Sequence, residues 1–333
     1  MKPLVSILIP AYNAEQWITA TLESAVNQDY GRTEIILVND GSTDRTLEIA
    51  KAFDAKNVKI IDQPNTGGPA ARNMALSQAQ GDYIQWLDHD DLLAHNKISE
   101  QVRHLESIGS DRVLLSGSFG RFYFRPEKAR ILPGPMWRDL TPLDYFFIKF
   151  NEDSWIHTTC WLVSRKLTEL AGPWWELRTP DDDGEYFCRV VASSEGIHFV
   201  PTAMSYWRIG NYASFTYSRA RSIDALEAFL ESTFRCIQHF RSLEDSVRSR
   251  SACVTFLRNR LIYFYPEQQE MLQRMCAVAE ELGGSLSEAP LGGKYDAIRP
   301  YLGWRMTKRS QTIVGNSKVW ASRNWDKLMS KLS

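Results

Sequence analysis

Over its first 110 residues the chain alternates short apolar runs with segments whose apolar residues recur at helical spacing. The runs have the length of buried strands, and they cover residues 4–10, 34–40, 58–63 and 82–88. After the first run, Ile18, Leu22 and Ala25 fall on one face of a helix that Asn13 is predicted to cap. Strands that alternate with helices in this way predict a parallel sheet with helices on both faces.

The rest of the chain follows other patterns. "RVLLSGS" (112–118) and "GRFYFRP" (120–126) are predicted as two strands joined tightly. After residue 220 the apolar residues return to helical spacing, with a Gly/Ser/Pro-rich break at 283–293. The predicted organisation is a mixed, mostly parallel α/β domain in two halves, 1–110 and 111–218, and a helical C-terminal region, 219–333.

Composition narrows the class of protein. With 333 residues, 44% of them apolar, the chain can bury a substantial core, and its net charge of −1 gives no overall attraction to nucleic acid. Five scattered cysteines without a CxxC pair predict neither a zinc site nor a disulfide framework, and they fit a reducing compartment. The apolar start is too short for a signal peptide, and no run reaches the ~18 apolar residues of a membrane span. We therefore expect a cytoplasmic protein.

Each predicted strand of the first half ends in a polar motif. The four motifs are "PAYN" (10–13), "NDGSTD" (39–44), "NTGGPAARN" (65–73) and "DHDD" (88–91). In an open parallel sheet the carboxyl ends of the strands form one edge, and ligands bind there. The sequence therefore predicts one ligand site built from all four motifs.

The last motif places Asp88, Asp90 and Asp91 within four residues. Crowded carboxylates have raised pKa values unless a cation compensates them. Mg²⁺ and Mn²⁺ prefer oxygen ligands and often combine carboxylates with substrate phosphates, so the motif predicts one of these metals. The alternative is a solvated acidic turn that caps the next helix.

Two other motifs have the chemistry of a nucleotide site. Gly67 and Gly68 allow close approach of the backbone, and the helix start behind them favours an anion. Arg72, one turn further, is placed to reach a phosphate or an aspartate of the metal site. Asp40 can accept a hydrogen bond from a base or ribose, and Tyr12 can stack on the base. Alternatively, Asp40 is a turn residue and "NTGGP" an ordinary connection, since neither a P-loop nor a GxGxxG fingerprint is present.

In order and spacing, the four motifs resemble those of the family 2 glycosyltransferases with the GT-A fold, over residues 3–215. The resemblance implies an inverting enzyme that uses Mn²⁺ or Mg²⁺ to transfer a sugar from a nucleotide-diphosphate sugar. The nucleotide is UDP by family habit, with dTDP and GDP left open. The implied acceptor is a hydroxyl of a glycan, a lipid-linked glycan or another molecule, in cell-surface polysaccharide biosynthesis. Residues 1–110 would bind the donor and residues 111–218 the acceptor.

The resemblance also implies roles for single residues. Asp90 and Asp91 would engage the metal and the diphosphate, while Asp40 would contact the base and Tyr12 would pack near it. The remaining donor-side residues are Pro10, Asn13, Arg72 and Asp88.

A second acidic cluster, "DDGEYFCRV" (182–190), resembles the catalytic-base motif of the family. It implies Asp183 as the base, with Asp182 and Trp175 on the acceptor side. A carboxylate that takes the proton of the attacking hydroxyl contributes about 10²–10⁴-fold in rate. Asp181 and Asp182 are competitors for this role, and the alternative is an acidic first turn that complements the helix dipole.

One position departs from the family pattern. Many members carry a histidine after the late "YR" strand, and this chain has Gly210 near that place. A third protein ligand to the metal is therefore left open. His157 and His198 are candidate substitutes, although a lone histidine is more often structural.

Four tryptophans are concentrated in the middle of the chain: Trp155, Trp161, Trp174 and Trp175. Indole rings stack on the apolar faces of sugars, so these residues are candidates for an acceptor platform, while core packing is expected for at least half of them. Trp175 directly precedes the acidic cluster and is the one we expect at the acceptor.

Residues 299–331 contain eight Lys or Arg and one acid, Asp326, interleaved with Trp and Met. A basic, aromatic, amphipathic segment is typical of peripheral contact with an anionic membrane surface, here the inner face. The alternative is a solvated helix packed on the catalytic domain.

Two other functions compete with sugar transfer. A sugar-phosphate nucleotidyltransferase usually carries a Gly-rich loop with a basic residue after the first strand, which "PAYNAEQW" lacks. The second alternative is a non-catalytic module that binds a carbohydrate or a nucleotide sugar. Such a module has no turnover, so the substitution Asp183→Asn would not change any activity.

Overall fold

The structure of the chain, a computed structural model, describes residues 2–53, 55–105, 108–110, 112–177, 179–210, 222–287 and 291–331. The predicted boundary between residues 218 and 219 lies outside these ranges, as does residue 111 at the other predicted boundary.

Over the first 110 residues the strands and helices alternate as predicted, except that a short strand, β5, follows β4 directly. The strands are β1 (Val5–Ala11), β2 (Thr33–Asp40), β3 (Val58–Gln63), β4 (Tyr83–Trp86), β5 (Leu92–Leu93), β6 (Val113–Phe122), β7 (Arg130–Ile131), β8 (Val163–Ser164) and β9 (Gly196–Arg208). The helices are α1 (Ile18–Val26), α2 (Thr46–Ala52), α3 (Gly68–Gln78), α4 (Lys97–Leu105), α5 (Pro142–Glu152), α6 (Arg165–Ala171), α7 (Asp182–Ser193), α8 (Ile223–Leu243), α9 (Val247–Phe264), α10 (Gln269–Glu281) and α11 (Gly293–Ser330).

The first sheet has the order β3-β2-β1-β4-β8 and confirms the predicted parallel arrangement. β1 pairs in parallel with β2 and β4, β2 pairs in parallel with β3, and only β8 runs antiparallel to its neighbour. Every residue of β1 is buried, because Leu8 packs on the α3 side while Ile7 and Ile9 pack on the α1 side. Burial on both faces explains why the strand is a continuous apolar run.

The second sheet has the order β5-β9-β6-β7 and corrects one prediction. The segments 112–118 and 120–126, predicted as two strands, contribute to the single strand β6, which pairs in parallel with β9. The pairing register shifts between Gly117 and Ser118, so the glycine marks an irregularity within one strand and not a connection between two.

The glycine at that shift is required by close approach of the two strands. A Cβ atom on Gly117 would lie 2.2 Å from the carbonyl oxygen of Ala203 in β9. We expect Gly117→Ala to lower the free energy of unfolding by about 1–3 kcal/mol, the usual effect of overpacking. Gly31→Ala, where no atom lies within 4 Å of the added Cβ, should change it by less than about 0.5 kcal/mol in the same urea titration. Equal losses in the two variants would contradict this account.

The C-terminal helices share the core of the α/β domain. The Phe240 ring of α8 stacks on Phe146 of α5 with 5.1 Å between ring centres, and Phe256 of α9 stacks on Phe150 at 4.0 Å. The predicted helical extension is therefore present and packs directly on the domain that carries the sheets. No helix in the described ranges combines the length and apolarity needed to cross a bilayer.

Candidate active site

The carboxyl ends of β1, β2 and β4 open into a cavity of about 730 Å³. Of the predicted site residues, those that line it are Pro10, Tyr12, Asn13, Asp40, Arg72, Asp88, Asp90, Asp91, Asp182 and Asp183. The sequence motifs that follow the strands thus meet the acidic start of α7 across one space.

Asp40 anchors the loop that leads into α3. Its carboxylate accepts hydrogen bonds from the backbone N–H of Thr66 (2.9 Å) and Gly67 (2.8 Å) and from the Gln63 amide (2.8 Å). Gly67 has φ +104°, which favours glycine, and it directly precedes α3. In the structure Asp40 therefore fixes the backbone at the helix start, while the base contact that the resemblance implies stays a prediction.

Asn13 joins the first two motifs instead of capping a helix. Its side-chain oxygen accepts a hydrogen bond from the Thr43 N–H at 2.8 Å, and its own N–H donates to the Ser42 hydroxyl at 3.0 Å. The predicted cap is wrong, because α1 begins later and Trp17 precedes it. Tyr12, beside Asn13, is 41% exposed on the cavity wall and leaves a ring face for a ligand.

Arg72 connects the end of β4 with the start of α7. Its guanidinium donates to Asp182 at 2.7 Å and to Asp88 at 2.9 Å, and it lies 4.5 Å from the ring centre of Trp174. Burial favours the neutral form of Asp88, but the charge and the hydrogen bond of Arg72 outweigh it and hold the pKa of Asp88 below its usual value. Burial raises the pKa of Asp182 despite the same arginine. Arg72 thus stabilises two facing carboxylates that would otherwise repel.

Asp88, Asp91 and His157 form a candidate metal centre, since one ligand atom of each lies within 4.8 Å of the others. Burial, and after it Asp90 and Asp88, raise the pKa of Asp91 well above its usual value, because the nearby Arg208 does not offset them. Burial lowers the pKa of His157 to about 4, which keeps its imidazole neutral and able to bind a metal. Carboxylate oxygens suit Mg²⁺ and Mn²⁺, and an imidazole ligand is typical of transition metals, so the set fits Mn²⁺.

This grouping differs from the predicted pair Asp90 and Asp91. Asp91 is 1% exposed and faces His157 Nε2 at 3.5 Å. Asp88, which the sequence predicts on the nucleotide side, lies in the candidate metal centre. His157 Nδ1 is hydrogen-bonded to the Thr159 hydroxyl at 2.7 Å, which orients the ring toward Asp91. Of the two candidate histidines, His157 therefore lies at the acidic motif, while His198 lies 3.4 Å from Asp139.

Asp183 has the environment of a general base. Its carboxylate accepts hydrogen bonds from the Thr158 hydroxyl at 3.0 Å and from the Gly184 N–H at 2.9 Å. Burial, followed by the charges of Asp182 and Asp181, raises its pKa to about 7. A base works best when its pKa lies near the working pH.

The two competing acids are engaged elsewhere. Asp182 binds Arg72, and its other oxygen accepts a hydrogen bond from the Asp183 N–H at 2.9 Å. Asp181 faces Arg260 of α9 at 3.5 Å, and Arg260 also binds Asp153 at 2.9 Å. All three acids lie at the start of α7, where the helix dipole favours them. The acidic first turn is therefore present, and Asp183 is the acid of the three without a basic partner within the described ion pairs, while its role as the base stays a prediction.

The sequence did not identify two arginines that line the cavity, Arg208 and Arg260. Arg208, the last residue of β9, donates its backbone N–H to Asp91 at 2.8 Å and its Nε–H to the Asp90 carbonyl at 2.8 Å. Burial lowers its pKa to about 10, and it remains cationic at neutral pH. The rule that polar residues follow strands would have found Arg208. Nothing local in the sequence signals Arg260, because its helix reaches the site only through tertiary packing.

The tryptophans separate into core and cavity. Trp161 and Trp174 are 0% and 1% exposed and belong to the core, as expected for half of the four. Trp155 is 37% exposed on the cavity wall, with its ring edge-on to Trp207 at 5.1 Å. Trp175 is not among the described residues that line the cavity, and its ring lies 3.8 Å from the Arg235 guanidinium. The exposed indole at the site is therefore that of Trp155.

The model of the family "Glycosyl transferase family 2" matches residues 6–170. An uncharacterized glycosyltransferase of Haemophilus influenzae is 44% identical over 106 residues, which is 31% of this chain and 42% of that protein. Glycosyltransferase GlyG of Streptococcus pneumoniae is 37% identical over 132 residues, 37% of this chain and 44% of that protein. These matches span less than half the length of the curated relatives.

A structural relative covers more of the chain. Staphylococcus aureus TarS 1–349, solved in complex with UDP-GlcNAc, has a TM-score of 0.65 at 20% identity and covers 84% of this chain and 80% of that one. The full-length curated TarS, named poly(ribitol-phosphate) beta-N-acetylglucosaminyltransferase, is 32% identical over 142 residues, 41% of this chain and 24% of that protein. At this structural identity the likeness shows the fold, and it confirms the predicted GT-A fold with a C-terminal helical region.

Proposed function

Residues 6–170 belong to glycosyl transferase family 2, and from this premise we propose that the chain is a metal-dependent inverting glycosyltransferase. The donor is a nucleotide-diphosphate sugar, with UDP as the nucleotide. The acceptor is a hydroxyl of a glycan or lipid-linked glycan in cell-surface polysaccharide biosynthesis. The observation that carries the proposal is that His157 and Thr158, adjacent in sequence, serve two centres: His157 faces Asp91, and Thr158 binds Asp183.

The donor occupies the edge formed by β1, β2 and the start of α3. The Gly67–Gly68 backbone, held by Asp40, exposes the positive end of the α3 dipole to a phosphate. Asp88, Asp91 and His157 would hold the cation, which would offset negative charge on the departing diphosphate. Arg72 is engaged by Asp88 and Asp182, so its role is to position these carboxylates.

Asp183 removes the proton from the acceptor hydroxyl as the hydroxyl oxygen attacks the anomeric carbon. The bond between that carbon and the diphosphate oxygen breaks in the same displacement, and the nucleoside diphosphate leaves with the bonding electrons. A single displacement inverts the anomeric configuration. The proton ends on the Asp183 carboxylate and passes to solvent, which a group with a pKa of about 7 permits at neutral pH.

The acceptor side of the cavity combines an aromatic face with charge. Trp155 presents a partly exposed indole on which the apolar face of a sugar can stack. Arg260 and Asp153 bring an ion pair from α9 and from the end of α5. TarS, by its name, transfers N-acetylglucosamine to poly(ribitol-phosphate), and its structure holds UDP-GlcNAc. UDP-GlcNAc is therefore the first donor to test.

The proposal is tested by thermal unfolding with UDP-, GDP- and dTDP-sugars, each with and without Mn²⁺. We expect a UDP-sugar to raise Tm only when the metal is present, because the metal completes the binding site for the diphosphate. At a hundred times its Kd, a ligand that binds only the native state stabilises it by about 2.7 kcal/mol. In Asp91→Asn the metal-dependent part of the shift should disappear. No shift with any of the nucleotide sugars would refute the donor and metal assignments together.

The competing functions give different results in the same preparation. A nucleotidyltransferase would consume a nucleoside triphosphate with a sugar phosphate and release pyrophosphate. A binding module would show the thermal shift but release no nucleoside diphosphate with any acceptor. The proposed enzyme releases UDP from the UDP-sugar in the presence of an acceptor.

A further inference from the structure

The long C-terminal helix α11 carries an exposed apolar stripe. Met306, Ile313 and Trp320 follow one another at intervals of seven residues, and Leu328 comes eight residues later. An interval of seven residues returns to nearly the same face of a helix, with a drift of only ~20°. The four side chains are 56%, 57%, 64% and 54% exposed. Exposed large apolar residues aligned on one face mark an interaction surface.

The other side of α11 is fixed on the folded domain. Trp304 packs on Tyr265 with 4.8 Å between ring centres, and Thr307 is fully buried. Near the far end, the Asp326 carboxylate accepts the Phe124 N–H at 2.9 Å and pairs with Arg125 at 2.7 Å. The predicted packing of this helix on the catalytic domain is therefore present, and it leaves the stripe facing outward.

On α11, the acid Asp326 faces the folded domain, and several basic residues face solvent. Asp326 is the only acid among residues 299–331, which contain eight Lys or Arg, and it is paired inward with Arg125. Arg309, Lys318 and Lys327 are exposed. The solvent-facing side of the helix thus combines apolar residues with positive charge alone.

From this division of charge, we propose that α11 docks the protein on an anionic lipid surface through the stripe of Met306, Ile313, Trp320 and Leu328. Apolar side chains enter the boundary between headgroups and acyl chains, and flanking cations bind anionic headgroups. A second copy of this chain is a poorer occupant, because two identical faces of like charge repel each other.

The position of α11 relates the surface to the cavity. Gly210 lines the cavity, and a Cβ atom there would lie 3.2 Å from Arg323 Cδ of α11. The helix therefore packs at the cavity rim, and a docked protein would hold that rim near the lipid. The docking itself does not depend on the proposed transfer reaction, but it suits an acceptor that is lipid-linked.

The test is flotation of the full chain with vesicles of phosphatidylcholine alone or mixed with phosphatidylglycerol. We expect binding to the mixed vesicles, weakened by high salt. The triple variant Met306→Ser, Ile313→Ser, Trp320→Ser should reduce vesicle partitioning about tenfold or more, since three apolar side chains lose their burial. Arg309→Gln with Lys318→Gln and Lys327→Gln should weaken binding and its salt dependence. The matched control, Leu170→Ser with Ile223→Ser and Val247→Ser, changes apolar residues that are 52%, 66% and 88% exposed elsewhere and should bind as the parent does.

Three results would overturn the proposal. The first is that the parent does not bind the mixed vesicles, and the second is that the stripe variant binds them as well as the parent does. The third is that the parent sediments as a dimer and the stripe variant as a monomer. The nucleotide-dependent thermal shift, measured without vesicles, should be the same in parent and stripe variant. That shift also shows that the variant is folded, and it separates failure of docking from failure of the proposed function.

Discussion

Asp183→Asn is expected to lower the turnover of UDP-sugar and acceptor by about 10²–10⁴-fold, the contribution of a positioned general base. Asparagine keeps the shape of the side chain and can still interact with Thr158 and Gly184, but it cannot take a proton. The candidate metal centre of Asp88, Asp91 and His157 is untouched, so the metal-dependent thermal shift with a UDP-sugar should remain. Loss of turnover with retained donor binding is measured by UDP release and thermal unfolding on the same samples.

The dependence of turnover on pH gives a second measurement for the same residue. The carboxyl must be deprotonated to act, and burial raises its pKa to about 7, so kcat/KM should rise with pH and level off above that value. In Asp183→Asn the residual rate should lose this rise. Asp181→Asn is the matched control, because its carboxylate faces Arg260. If Asp181→Asn abolished turnover and Asp183→Asn did not, the base would be Asp181.

Arg72→Met should lower the free energy of unfolding by about 3–5 kcal/mol, as expected when one member of a buried ion pair is removed. The Arg72 side chain is 10% exposed, and those of Asp88 and Asp182 are 26% and 20% exposed. Methionine fills much of the same volume beside Trp174 but leaves the two carboxylates without their shared cation. Denaturant unfolding measures the loss.

An exposed ion pair provides the control for that variant. Arg45 and Glu48 lie 3.1 Å apart with side chains 68% and 67% exposed, and such surface pairs contribute about 0–1 kcal/mol. Arg45→Met should therefore change stability little. If Arg72→Met were equally mild, Arg72 would not be the residue that stabilises the facing carboxylates. Added Mn²⁺ should recover part of the stability of Arg72→Met, since a cation bound at Asp88 and Asp91 replaces some of the lost charge.

The fold of the first half could be predicted because its signals are local. Short apolar runs identify strands buried on both faces, and the chemistry of open parallel sheets places the following motifs at one edge. That reasoning predicts one site for Asp88 and Asp91, whereas Asp183 follows only from the resemblance to the family. The same reasoning divides the strand β6 into two predicted strands that are joined near residue 119. An irregularity inside one strand can have the same amino-acid composition as a tight connection between two strands.

The parts that sequence could not settle depend on tertiary contacts. His157 becomes the partner of Asp91 only because Thr159 orients its ring and burial keeps it neutral. Trp175 precedes the acidic cluster in sequence, yet its ring is covered by Arg235. Proximity along the chain therefore favoured Trp175, whereas of the four predicted tryptophans it is Trp155, farther away in sequence, that lies on the cavity wall.

The reach of Arg260 from α9 to Asp181 has a consequence for how such a chain can be recombined. The candidate cation ligands Asp88, Asp91 and His157 all precede residue 170, where the family match ends, whereas Asp183 and Arg260 follow it. The proposed cation ligands and the proposed base thus lie in successive stretches of sequence, while Trp155 and Asp153 place part of the proposed acceptor side before residue 170. A chimera joined near residue 170 should therefore keep the nucleotide sugar of its first parent, and it should need α7, α8 and α9 together from the second, because Arg260 of α9 pairs with Asp181 at the start of α7.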